Sequence, residues 1–192
     1  YASFDYSGRF FGTPENPRGT VDINCQKCGY GDYFIDSAYL RVTVDGLDTV
    51  LHQADIFRSK MKTAINGRLD LSRKQGFLES AFYYTNGNGS ASDLTAGMIR
   101  LDYDLPDTGE IEITADINEL DLRLADHFIP DTLGLKGSIS GKATATGYIE
   151  DPEFALFLRV TGAGAKQITF DTILVRAAYE EEMLRMEQLD IY

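Results

Sequence analysis

LKGSISGKATATGYI, residues 135–149, carries small or apolar side chains at every odd position and polar ones at nearly every even position. Leu135, Gly137, Ile139, Gly141, Ala143, Ala145, Gly147 and Ile149 fall on one face; Lys136, Ser138, Ser140, Lys142, Thr144 and Thr146 fall on the other, with Tyr148 closing that row. A period of two is the signature of an extended chain, since successive Cβ atoms of a strand point to opposite sides. The run is well beyond the average strand of about 5–6 residues, so the expected strands are long and one-sided. Something must cover their apolar face.

The pattern recurs. Ala2, Phe4, Tyr6, Gly8 and Phe10 share a face, as do Leu40, Val42 and Val44; Ile65, Gly67, Leu69 and Leu71; Ile99, Leu101, Tyr103 and Leu105; Ile111, Ile113, Ala115 and Ile117; Phe154, Leu156, Leu158 and Val160; and Ile168, Phe170 and Leu174. Alternation of this kind belongs to antiparallel strands solvated on one side. Turn chemistry separates the runs at Gly12–Pro17, Tyr84–Ser90, Leu105–Glu110 and Glu150–Pro152. One short helix is expected, LRLADHFIP from Leu122, ended by Pro130. The fold class is therefore all-β: about a dozen long antiparallel strands, with far too little helix to cover them.

Composition excludes several functions. A net charge of −12 disfavours nucleic acid, whose affinity rests on Lys and Arg neutralising phosphates. No run reaches the roughly 20 apolar residues of a membrane-spanning helix. Both termini read as strands in progress, so the chain is expected to be a segment of a larger protein, with any anchor or export signal elsewhere.

The chemical motifs are weak. Cys25 and Cys28 form a single CxxC, whereas structural zinc needs four ligands and only the distant His52 and His127 are available; a disulfide closing a hairpin loop is expected instead, in an oxidising compartment. No metal and no cofactor are expected. GLKGSISGKAT, residues 134–144, lacks the phosphate-loop pattern because Lys136 and Ala143 stand where Gly and Ser or Thr are required. Asn88-Gly89-Ser90 is a sequon only in a eukaryotic secretory setting. Asp102, Asp104, Asp107 and Glu180–Glu182 are expected on a solvated outer face. Spacing assembles no nucleophile–base set, and two histidines offer little acid–base material; an enzyme is not expected.

An internal echo is also present. Residues 33–57 lie without gaps over residues 168–192 at an offset of 135, matching Asp36, Arg41, Gln53, Asp55 and Ile56 to Asp171, Arg176, Gln188, Asp190 and Ile191. A glycine-then-proline element precedes each copy, at Gly8–Glu15 and Gly147–Glu153. The expected repeat therefore covers residues 1–57 and 147–192, in an architecture that extends by strand addition.

The stretch ITADINELDLRLADHFIPDTLGLKGSISGKATATGYIEDPEFALFLRV, together with SGRFFGTPENPRGTVDI and INGRLDLS, resembles the TamB and AsmA-like family of bacterial envelope proteins. The resemblance rests on Leu120–Leu122, Pro130, the LxGxIxG strand Leu135–Gly141, and Gly147–Pro152. It implies a curled, groove-shaped sheet, the β-taco, of a periplasm-spanning protein anchored in the inner membrane, which carries phospholipid between inner and outer membrane. Its partners would be phospholipid acyl chains, both membranes through segments outside this chain, and an outer-membrane β-barrel protein. The expected groove-lining residues are Ile99, Leu101, Ile111, Ile113, Ile117, Leu135, Ile139, Ala143, Leu156, Leu158 and Val160. Two other readings stand beside this one: a periplasmic scaffold or chaperone that pairs edge strands with outer-membrane β-barrels, and a β-sandwich, adhesin-like module whose sheets bury each other.

Overall fold

The structure, a computed structural model, describes residues 3–30, 33–85, 91–107, 109–127, 134–166, 168–180 and 183–192. It is all-β, with twelve strands among these residues and one short 3-10 turn. Strand order is chain order, with no crossover. The chain divides into two compact units, Tyr1–Thr95 and Ala96–Tyr192.

The first unit holds β1 (Ser3–Thr13), β2 (Asn16–Tyr30), β3 (Tyr33–Asp45), β4 (Asp48–Arg58), β5 (Met61–Asp70) and β6 (Gln75–Thr85). Each is antiparallel to the next. The strand β7 (Ala91–Asp104) crosses the division, and β8 (Ile111–Asp121), β9 (Leu135–Tyr148), β10 (Asp151–Ala165), β11 (Ile168–Glu180) and β12 (Met183–Ile191) continue the antiparallel ladder in the second unit. The predicted helix appears as the 3-10 turn Leu122–His127; Pro130, its expected terminator, lies outside the described residues. So do Ala2, Asn88-Gly89-Ser90, Glu181 and Glu182.

Tight turns make this ladder possible. Pro14 and Glu15 join β1 to β2, and the Asn16 amide donates to Thr13 Oγ1 at 3.2 Å. The Asp70 carboxylate caps the turn between β5 and β6, accepting from the amides of Ser72 and Arg73, both at 3.0 Å, and from Ser72 Oγ at 2.6 Å. Ser59 and Lys166 turn two further hairpins with left-handed backbone, at φ 57° and 55°.

The 135-residue echo is matched by the geometry of each unit. β2 and β10 share both bounds at that offset, Asn16 with Asp151 and Tyr30 with Ala165; so do β3 and β11, Tyr33 with Ile168 and Asp45 with Glu180. A β-bulge falls between Arg41 and Val42 in one copy and between Arg176 and Ala177 in the other. The opening glycines, Gly12 and Gly147, have φ 97° and 96° and stand opposite Pro17 and Pro152. Gln53 donates to Asp55 at 2.7 Å, and Gln188 to Asp190 at 2.6 Å. The correspondence reaches upstream to Ser3 and Ser138, where the sequences have little in common.

Because an L-residue is strained at φ near +97°, Gly12→Ala and Gly147→Ala should each lower stability by about 1–3 kcal/mol, whereas Ser7→Ala should change it by less than about 0.5 kcal/mol. Urea denaturation of the three variants checks this. Opposite responses at the two glycines would show that the two copies differ at this hairpin.

Candidate functional site

Register decides which side chains share a face, since residues directly opposite in a ladder lie on the same side. In the first unit the rows Gly8–Val21–Val42–Leu51–Gly67–Leu78 and Tyr6–Ile23–Leu40–Ala54–Ile65–Ser80 cross six strands. In the second, Ile99–Ile117–Gly141–Leu158–Val175–Leu189 and Leu101–Ala115–Ala143–Leu156–Ala177–Met186 do the same, with Leu120–Ile139–Val160–Ile173–Ile191 beside them. Each unit thus presents a broad, almost wholly apolar face.

No second layer within either unit seals its face among the described residues. Among the described residues no large side chain is fully buried; the buried apolar set is Cys25, Cys28, Ala54, Met61, Ala96, Ile111, Leu124, Ala145 and Ala163. Val21, Ile23, Leu40, Ile113, Ile139, Leu156 and Val160 are half-buried by their neighbours in the sheet. Phe4, Phe10, Leu184 and Leu189 are more than half exposed. The chain exposes 13075 Å², whereas two independent globular units of half its mass would expose about 11,000 Å².

Of the predicted lining residues, Ile99, Leu101, Ile117, Ile139, Ala143, Leu156, Leu158 and Val160 stand in these rows, and Ile113 stands in the adjoining row Tyr103–Ile113–Ala145–Phe154–Tyr179–Leu184. Ile111 lies on the same face, opposite Gly147, and is buried. Leu135 lies at the end of β9 beyond the bulge between Thr161 and Gly164, opposite Ala165, which in turn stands opposite Ile168. Leu174, grouped with Ile168 and Phe170 by simple alternation, stands opposite Arg159 on the polar side, and Ile173 and Val175 carry the apolar row instead. Sequence reasoning omitted the whole first-unit face from the lining, although V-x-I-x-C at Val21, Ile23 and Cys25 carries the same alternation. It also omitted Val175, Met186 and Leu189.

The opposite faces are laced by charge. Asp22 accepts from Tyr39 Oη and Arg41 Nε, both at 2.7 Å, and the Arg41 guanidinium lies 5.8 Å from the Tyr39 ring centre. Lys62 Nζ pairs with Asp55 at 2.9 Å and stands 5.5 Å from the Phe57 ring centre. Arg68 Nε donates to Asp48 at 3.0 Å, and Arg100 grips Asp102 through Nε and a terminal nitrogen, each at 2.8 Å. The Tyr39 hydroxyl, and then Arg41, hold the Asp22 carboxyl below its ordinary range; the Ser72 hydroxyl does the same for Asp70, and Arg100 for Asp102. Asp22 thereby ties β2 to β3, Asp70 caps the turn that follows β5, and Asp102 holds Arg100 of its own strand.

Cys25 and Cys28 are joined as a disulfide with Cα atoms 6.2 Å apart. The bridge does not close a hairpin loop as expected. Both cysteines lie within β2, on either side of Lys27, whose left-handed φ of 54° interrupts the alternation. His52 Nε2 lies 2.9 Å from Thr43 Oγ1. Among the described residues no group of three or more His, Cys, Asp or Glu is placed to hold a metal ion, and no helix is long and apolar enough to cross a membrane. Residues 135–144 of the rejected phosphate loop lie in β9, which runs on as strand to Tyr148. No family model, curated protein or solved structure matches the chain.

The outer ladders set a pH dependence. The folded-state pKa of Asp22, Asp70 and Asp102 lies below the unfolded value, so their stabilisation is fully present above the unfolded pKa of about 3.9 and is lost as pH falls through the folded value. Stability should therefore decline below about pH 4, and Asp22→Asn should flatten that decline while lowering stability at pH 7. Urea midpoints between pH 2 and 7 test the sign; a variant as pH-sensitive as the parent would remove Asp22 from the account.

Proposed function

We propose that the two apolar faces are lengths of the lining of an open groove that carries phospholipid acyl chains across the periplasm, between inner and outer membrane, within a larger bridge-like protein of the TamB and AsmA-like type. The observation that carries the reading is the pairing of continuous apolar rows with the absence of any fully buried large side chain among the described residues. Two sheets packed as a sandwich would bury Leu156, Leu158 and Val160 far more deeply. Lipid tails supply the missing cover: each methylene moved from water to an apolar wall contributes about 0.8 kcal/mol. The lining is mostly of Ile, Leu, Val, Ala and Gly, which offer few polar contacts to fix one headgroup or tail length, as passage along the groove requires. The disulfide fits an oxidising compartment such as the periplasm.

A photoreactive side chain at Ile113 or Ile139 should crosslink to phospholipid in the purified chain or in whole envelopes, while the same group at Lys142 or Thr144 should not. Mass spectrometry of the adducts reads the outcome, and equal labelling at all four positions would sink the assignment of faces.

Charge on the lining gives a second test. Ile139→Asp and Leu101→Arg should leave the β-sheet circular dichroism spectrum intact, because an uncovered face lets the new charge reach water, yet reduce lipid transfer at least tenfold; Thr144→Asp should do neither. Unfolding by both lining variants would instead mark these positions as a closed core, where burying an unpaired charge costs several kcal/mol.

A further inference from the structure

The charged face of the first unit carries a cavity of about 730 Å³, formed across β1, β2 and β3 and lined chiefly by Ser7, Arg9, Phe11, Arg18, Thr20 and Thr43. Its volume falls within the range of about 300–1,000 Å³ typical of small-molecule sites. We propose that this cavity binds a phosphorylated sugar, with the phosphate held by Arg9 and the Thr20 hydroxyl and the sugar by Phe11 and Asp45. The site lies on the side opposite the apolar rows and stands independently of the lipid reading.

The charges around the cavity leave one cation uncommitted. Arg18 pairs with Asp45 at 2.7 Å, and Asp22 accepts from Tyr39 and Arg41, whereas Arg9 has neither an ion pair nor a side-chain hydrogen bond among the described residues. Arg9 stands opposite Thr20, and Thr20 opposite Thr43, so the three side chains form one row. Thr20 Oγ1 and Thr43 Oγ1 share a hydrogen bond of 3.1 Å, and His52 Nε2 lies 2.9 Å from Thr43 Oγ1. With the imidazole donating to Thr43 and Thr43 donating on to Thr20, the Thr20 proton is left for an acceptor beside Arg9. A guanidinium edge and a hydroxyl so placed are charge-assisted and neutral donors to the same phosphate. Phe11, 65% exposed, offers its ring to the apolar face of a sugar. Asp45 engages Arg18 through Oδ1, which leaves Oδ2 to accept from a sugar hydroxyl.

The repeat shows that the sheet does not need this row. At the offset of 135 residues, Arg9–Thr20–Thr43 becomes Thr144–Ala155–Ala178, in the same register, and His52 becomes Glu187. The second unit builds the same ladder without the cation, the paired hydroxyls or the imidazole. The four side chains are therefore a local addition to a common frame, and the cavity gives them a use.

Calorimetric titration of the 192-residue chain with glucose 6-phosphate tests the site. Saturable binding is expected, with inorganic phosphate weaker and glucose weaker still. Arg9→Gln should weaken binding at least tenfold. Thr20→Ala combined with Thr43→Ala, which installs the alanines the second unit already carries at these places, should weaken it several-fold while leaving the circular dichroism spectrum unchanged; Lys142→Gln, in the second unit, should have no effect. No saturable binding at millimolar glucose 6-phosphate, equal losses from Arg9→Gln and Lys142→Gln, or inorganic phosphate binding as tightly as the sugar ester would overturn the proposal. Phosphatidic acid vesicles in the same titration separate a lipid headgroup from a soluble ester: vesicle binding that needs Arg9, with none of glucose 6-phosphate, would overturn the sugar assignment.

Discussion

An antiparallel sheet with one apolar face must find a cover for it or keep it half-wetted, and nearly every feature of this chain follows from keeping it half-wetted. Neighbouring side chains within the sheet shield Val21, Leu40, Ile139 and Leu156 only in part, so the usual gain of a closed core is missing. Stability has to come from the ladders themselves: long strands, cross-strand pairs of about 0.2–1 kcal/mol each, and an outer face in which Asp22, Asp55 and Asp102 tie Arg and Lys across or along strands. On the proposed reading, that leaves the lining free for lipid tails.

The lining is also shaped. Gly19, Gly67 and Gly141 stand in the apolar rows, and a Cβ at any of them would come within 2.8 Å of a neighbour's side chain: Phe10 over Gly19, Leu78 over Gly67, Leu158 over Gly141. A large side chain lies across the glycine beside it, so backbone that would otherwise be open to water is roofed by an adjacent strand's residue. This alternation of large and small evens the face.

Alternation made the fold class and most of one lining legible in the sequence, because a period of two says both that a residue is in a strand and which neighbours share its side. It fails where the backbone slips by one. The register with Arg159 turns Leu174 to the polar side, out of step with Ile168 and Phe170, and that is not visible from one strand's own pattern. Hairpins turned by Ser59 and Lys166 were invisible for a related reason. Each adopts left-handed backbone without the Gly or Asn that announces such a turn. The lining of the first unit was readable, at Val21, Ile23 and Leu51, but its glycines and aromatics dilute the contrast that made residues 135–149 plain.

The repeat shows what the lone disulfide is for. At offset 135, Cys25, Lys27 and Cys28 correspond to Val160, Gly162 and Ala163. Both strands turn left-handed at the middle residue, φ 54° at Lys27 and φ 61° at Gly162, and both bury the residue that follows. In β10 glycine adopts that conformation without steric cost. In β2 a lysine is held there, at a cost of about 1 kcal/mol or more, and a covalent bridge spans it. Closing so short a loop removes about 2 kcal/mol of freedom from the unfolded chain, enough to offset the strained lysine. One kink is thus made by two chemistries, which argues for the bridge as a staple of the sheet and against a redox centre.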